Sequence, residues 1–111
     1  MSLLYLISPP NINFDQFPDL LAAIFAESNN SIGAFQLRVK NRSVEDIFDI
    51  SKILLPICKS YNIDYYINDH YKIADKLEID GIHLGQDDGN IVKICQTYGR
   101  NFKIGISCMN S

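Results

Sequence analysis

Apolar and polar positions along this chain switch between two periods, and the switches divide it into short alternating elements. Leu3 to Ser8 is an apolar run closed by Pro9-Pro10, which no helix interior accepts, so it predicts a strand. The stretch FDQFPDLLAAIFAES predicts a helix: Leu21, Ile24 and Phe25 share a face, and Pro18 suits a first turn. Asn29, Asn30 and Gly33 read as stop signals, and Ala34 to Val39 as a second strand. Ser43 followed by Asp46 resembles a capping box and opens a second helix. Ile47, Ile50, Leu54, Ile57 and Tyr61 recur there at helical spacing, and Pro56 is expected to kink the helix or shift its register. DYYIN is a third strand, Ile73, Ala74 and Leu77 stripe a short helix, and GIHLG is a fourth strand. Ile91, Ile94, Cys95 and Tyr98 mark a fourth helix with Gly99 as its cap, and KIGIS is a fifth strand.

Strands that alternate with crossover helices predict a parallel sheet, hence the α/β class. Two architectures remain, an open doubly wound sheet and a (β/α)8 barrel of the TIM type. Polar residues gather at the C-terminal ends of several strands: Gln36, Arg38 and Lys40; Asn68 and Asp69; Gln86 and Asp88; Ser107. That edge binds ligands in both architectures. Spreading the site over four consecutive strands favours a barrel mouth, because an open sheet concentrates its site at one switch point.

Composition narrows the function. With 111 residues, 47% hydrophobic and 21% charged, the chain fits one soluble domain or part of one. A net charge of −3 gives no basic face, so nucleic acid is not an expected partner. Neither GxGxxG nor GxxxxGK[ST] occurs, which leaves the common nucleotide folds without support. The apolar run in MSLLYLISPP is short and lacks a basic leader; it reads as a strand rather than a signal peptide or membrane anchor. Cys58 and Cys95 lie in apolar helical segments and read as buried small hydrophobes, while Cys108 follows a strand. An odd cysteine count without CxxC suits a reducing cytosol, so the expected location is cytoplasmic.

Period-two spacing puts Gln36, Arg38 and Lys40 on one face of a strand. Burying two cations in a sheet costs several kcal/mol unless counter-charge offsets it, on the order of the penalty for an uncompensated buried ion. The counter-charge is either protein carboxylate, in a salt-bridge cluster, or a bound anion. An arginine fork beside a lysine point charge suits phosphate. Asp69 and Asp88 each follow a strand, and converging carboxylates repel unless a proton or cation lies between them. Mg²⁺ binds through one or two carboxylates plus phosphate oxygens. Cations from one strand, carboxylates from two others and a metal would make a diphosphate site. Either aspartate alone is as readily a helix N-cap, and Asp87 competes with Asp88. His83 reads as a core histidine before a catalyst, His70 as a surface residue in a helix's first turn, and Tyr5 as core or surface rather than mouth. No nucleophile with a base partner is visible, so no catalytic protein group is assigned. A diphosphate held by metal and cations can depart without one when the second substrate supplies the nucleophile.

The blocks QLRVKN, IND, DGIHLGQDD and IGISCMN occur in this order over essentially the whole chain. Together they resemble the thiamine phosphate synthase family, whose strands carry QLR-x-K-N, ND, DG-[VI]-HLGQ-x-D and [VI]-S-C-H. The resemblance implies a transferase of thiamine biosynthesis that joins hydroxymethylpyrimidine diphosphate to thiazole phosphate and releases pyrophosphate. It implies that Asp69 and Asp88 hold Mg²⁺, that Arg38, Lys40, Asn68 and Ser107 grip the diphosphate, and that Gln36 sits by the same substrate. Val39 replaces the family's usual acidic residue and is expected to face the helices, away from the site. Met109 replaces a histidine that acts as base in the sister thiazole tautomerases, which counts against that activity.

Barrels of this type have eight strands and about 200 residues or more. Residues 1–111 are therefore expected to be the N-terminal part of a single incomplete barrel domain, with about the first five strands: a split or truncated gene product. Five strands would leave sheet edges unpaired. The alternative is an inactive assembly module, either a homo-oligomer or a half that recruits a complementing C-terminal chain. A tautomerase-like relative is the weaker third reading.

Overall fold

The computed structural model describes residues 4–68, 70–84, 91–98 and 101–106. The elements run β1 (Leu4–Ile7), α1 (Phe17–Glu27), β2 (Ile32–Leu37), α2 (Val44–Ser60), β3 (Asp64–Asn68), α3 (Tyr71–Leu77), β4 (Gly81–Leu84), α4 (Ile91–Tyr98) and β5 (Lys103–Ile106). All nine elements expected from the periodicity are present, in that order. The strand order is β1-β2-β3-β4-β5, and the pairs β1–β2, β3–β4 and β4–β5 are parallel. An order that never reverses has no switch point, so the doubly wound alternative falls away in favour of barrel-type β/α connectivity.

The chain divides into two units, residues 1–65 and 66–111. In the first, the core grows around Phe35 of β2, which is wholly buried. Its ring meets Phe17 at 6.0 Å, Phe25 at 6.4 Å and Tyr65 at 5.8 Å between centroids. Burial of such a side chain contributes about 1.5–3 kcal/mol. Leu21 and Phe25 are buried as the stripe on α1 requires, and Pro18 lies in the first turn. Asn29 and Asn30 are left-handed, at φ 53° and 64°, which ends the helix as expected.

Two boundaries differ from the sequence reading, and both belong to β2. Gly33 is not a stop: β2 begins at Ile32, and the pairing skips from Leu4↔Ile32 to Tyr5↔Ala34, a bulge in which Gly33 is the extra residue. β2 also ends at Leu37, so Arg38 and Lys40 lie past the strand rather than on it. Pro56, expected to kink α2 or shift its register, lies inside the helix, which continues to Ser60. Pro56 and Lys52, whose helical hydrogen bond it removes, are both exposed, so water can take the released carbonyl. The buried stripe runs Ile47, Ile50, Ser51, Leu54, Cys58: Cys58 takes the place expected of Ile57, and Tyr61, expected to end the stripe, is exposed. Cys58 is buried and in no disulfide, as its apolar setting suggested. At the helix start Ser43 Oγ accepts from Asp46 N at 3.0 Å.

In the second unit the register sets Tyr66 beside Gly81, Ile67 beside Ile82, and Asn68 beside His83. Partners in a parallel ladder point to the same side. One face therefore carries the buried Ile67, Ile82 and Leu84, and the other carries Tyr66, Asn68, Gly81 and His83. A Cβ at Gly81 would strike the Tyr66 ring and come within 2.7 Å of the Lys103 carbonyl, so only glycine lets β3, β4 and β5 approach this closely. α3 buries Ile73 and Ala74 and closes on Glu78 in the left-handed conformation. Ile94 of α4 is buried; the side-chain packing of Ile91, Cys95 and Tyr98, and Gly99, lie outside the described residues. Among the described residues, no helix is long and apolar enough to cross a membrane.

Candidate functional site

The polar edge of the first unit is built where β1 and β2 end. Gln36 lies inside β2, in line with Ile7, and is 4% exposed. A buried amide requires partners. Tyr5, two residues before Ile7 on the same face of β1, donates its hydroxyl to Gln36 Oε1 at 3.0 Å. The Gln36 carbonyl accepts from Ser8 N at 3.0 Å. Tyr5 itself is half exposed, so it is an edge residue with a polar task rather than a core tyrosine.

Arg38 follows β2, and its backbone N–H donates to Ser8 Oγ at 2.9 Å. The backbone N–H of Lys40 donates to the Pro10 carbonyl at 2.9 Å. Both cationic side chains are exposed, and Val39 between them is half-buried. The desolvation argument for a counter-ion therefore does not apply to them, because neither charge has left water. Their chemistry is that of solvated cations on a fixed backbone, open to an anion arriving from solvent. Ser8 is 5% exposed and joins both segments. The sequence reading missed it, although the signal that selected Asn68 and Ser107, a polar residue just past or at a strand end, applies equally to Ser8.

In the second unit Asn68 closes β3, half-buried, with its carbonyl accepting from His70 N at 2.9 Å. His83 stands beside it on the same sheet face, flanked by buried Ile82 and Leu84. His70 is neither in a first turn nor a surface residue: it is the N-cap of α3 and half-buried. Burial disfavours its charged form and lowers its pKa from the ordinary histidine value. Asp69, Asp88 and Ser107 lie outside the described residues, as do Gln86, Asp87, Cys108 and Met109. The structure thus brings Gln36, Arg38 and Lys40 together with Tyr5 and Ser8 in the first unit, and sets Asn68 next to His83 in the second.

Residues 4–111 match the family model described as thiamine monophosphate synthase. The thiamine-phosphate synthase of Erythrobacter litoralis is 34% identical over 105 residues, 95% of this chain and 49% of that protein. The thiamine-phosphate synthase of Pelagibacter ubique is 38% identical over 107 residues, 96% of this chain and 50% of that protein. The chain spans about half the length of these relatives. In fold, it is similar to the solved thiamine phosphate pyrophosphorylase from Pyrococcus furiosus, with a TM-score of 0.75 at 23% identity over 96% of this chain and 50% of that one.

Proposed function

Since the chain belongs to the thiamine monophosphate synthase family, we propose that it is the N-terminal part of a synthase of one incomplete barrel domain. That synthase couples hydroxymethylpyrimidine diphosphate to thiazole phosphate and releases pyrophosphate. The observation that carries this reading is the edge after β2: a buried amide at Gln36, then two exposed cations, Arg38 and Lys40, on backbone held by Ser8 and Pro10. An arginine fork and a lysine point charge on a preformed loop suit the oxygens of a diphosphate. The motifs shared with the family would assign Gln36, Asn68 and Ser107 to the same substrate. Asp69 and Asp88 are the hard oxygen donors that would hold Mg²⁺. Bound there, the metal would offset charge on the diphosphate and assist its departure as pyrophosphate. The thiazole nitrogen then captures the pyrimidine carbon, so no protein nucleophile is required.

Titration calorimetry with magnesium pyrophosphate tests the site. Uptake is expected to depend on the metal and to weaken in Asp69→Asn on the order of 10–100-fold, the range seen when metal-site groups are altered. No metal-dependent uptake, even with a complementing C-terminal half present, would overturn the assignment.

One observation favours a second reading, an assembly module. In the described strand order β1 is an end strand, and Leu4, Tyr5 and Ile7 are 62%, 49% and 47% exposed. An apolar end strand invites pairing with another chain. Met109 still weighs against a tautomerase, whose base it would replace.

A further inference from the structure

The chain segments that leave β1 and β2 are laced together. Three hydrogen bonds, Ser8 N to the Gln36 carbonyl, Arg38 N to Ser8 Oγ and Lys40 N to the Pro10 carbonyl, set residues 8–10 alongside residues 36–40. Asn41 then turns the chain through a left-handed conformation, φ 59°, and Arg42 reaches back. Its guanidinium carbon lies 4.0 Å from the centroid of the Phe14 ring. Its Nη2 donates to the Ile12 carbonyl at 3.2 Å, and its Nη1 is 3.9 Å from Asp46 Oδ2. One side chain therefore touches the loop before α1, follows directly on the cationic segment, and meets the first turn of α2.

By charge alone Arg42 reads as a third cation beside Arg38 and Lys40. Its surroundings argue for another task. Phe14 covers the planar face, Ile12 takes an N–H, and Asp46 offsets the charge. A planar guanidinium can lie over a ring and still donate from its edge, whereas an ammonium meets the ring only as a point charge. Arg38 and Lys40 are long exposed side chains, and a fixed backbone reduces the freedom they lose on gripping a ligand.

We propose that Arg42 is a positioning strap: it holds the 12–14 loop against the turn that follows Lys40, and so fixes the backbone from which Arg38 and Lys40 project. That those cations serve a diphosphate rests on the reading above; the strap does not.

Amide hydrogen exchange tests the strap on the chain without ligand, and magnesium pyrophosphate titration tests its use. In Arg42→Gln the Arg38 and Lys40 amides should exchange about fivefold faster, the scale of losing one exposed cation–π contact, with the amides of Leu21 and Leu54 unchanged. Phe14→Leu should act alike, and the double variant should add little, because both remove the same contact. Pyrophosphate affinity should fall by a similar factor, and Arg42→Lys should not restore it. Unchanged exchange at Arg38 and Lys40, equal acceleration throughout the fold, or full rescue by Arg42→Lys would each overturn the strap. Local acceleration in a chain whose wild type takes up no pyrophosphate would sustain the strap and remove the diphosphate reading instead.

Discussion

The hydroxyl groups of Ser51 and Tyr65 are both fully buried and lie 2.9 Å apart, joining α2 to β3. Burial pushes the Tyr65 hydroxyl far above its ordinary pKa; the bond from Ser51 works against that shift, and Cys58 adds slightly to it. The sign follows from linkage. The unfolded tyrosine ionises near pH 10, the folded one does not, so the unfolded state alone releases a proton above that pH. Stability from this group is whole below about pH 10 and falls by about 1.4 kcal/mol per pH unit above it. Urea unfolding at pH 8 and pH 11 should show that decline, and Tyr65→Phe should flatten it. At pH 8 the same variant should lose about 1–3 kcal/mol, because Ser51 is left buried without its partner. Equal alkaline decline in both proteins would refute the assignment. At this scale the sequence marked Gln36, Arg38, Lys40 and Asn68 by their place at strand ends. It did not mark Ser8, Ser51 or Tyr65, whose roles depend on what lies across from them.

Element boundaries follow local chemistry where the signal is local. Ser43 caps α2 through Asp46, as the spacing of the two residues implied. β3 runs Asp64–Asn68, as its apolar alternation implied. β2 was misplaced by two residues because its alternation continues through Val39 and Lys40, whereas pairing with β1 stops earlier. α3 ends on Glu78 at φ 56°, a conformation that costs a residue bearing a Cβ about 1–2 kcal/mol and a glycine almost nothing. Glu78→Gly should therefore raise stability by about 0.5–1 kcal/mol after its own loss of backbone entropy is counted. Thermal unfolding of Glu78→Gly beside Glu78→Ala checks this; a gain in the alanine variant as large as in the glycine variant would point to some other cause.

On the scale of the whole molecule, the parallel order β1-β2-β3-β4-β5 is that of a barrel-type β/α succession. Leu4, Tyr5 and Ile7 leave an apolar strand in water at the β1 end. On the assembly reading, this chain self-associates, and Ile7→Lys, a charge on an end strand, should reduce it. Sedimentation velocity at several protein concentrations reads the effect; a wild type that stays monomeric throughout would remove the assembly reading. Element type, element order, the α/β class and the family can be read along the chain, because periodicity and short motifs are properties of neighbours. Folding alone sets where β2 ends, that Arg38 and Lys40 remain in water, that Tyr5 and Ser8 serve Gln36 and Arg38, and that Arg42 faces Phe14 and Ile12. Those contacts join residues 28 to 31 positions apart, and no local pattern specifies which distant groups folding will bring within reach.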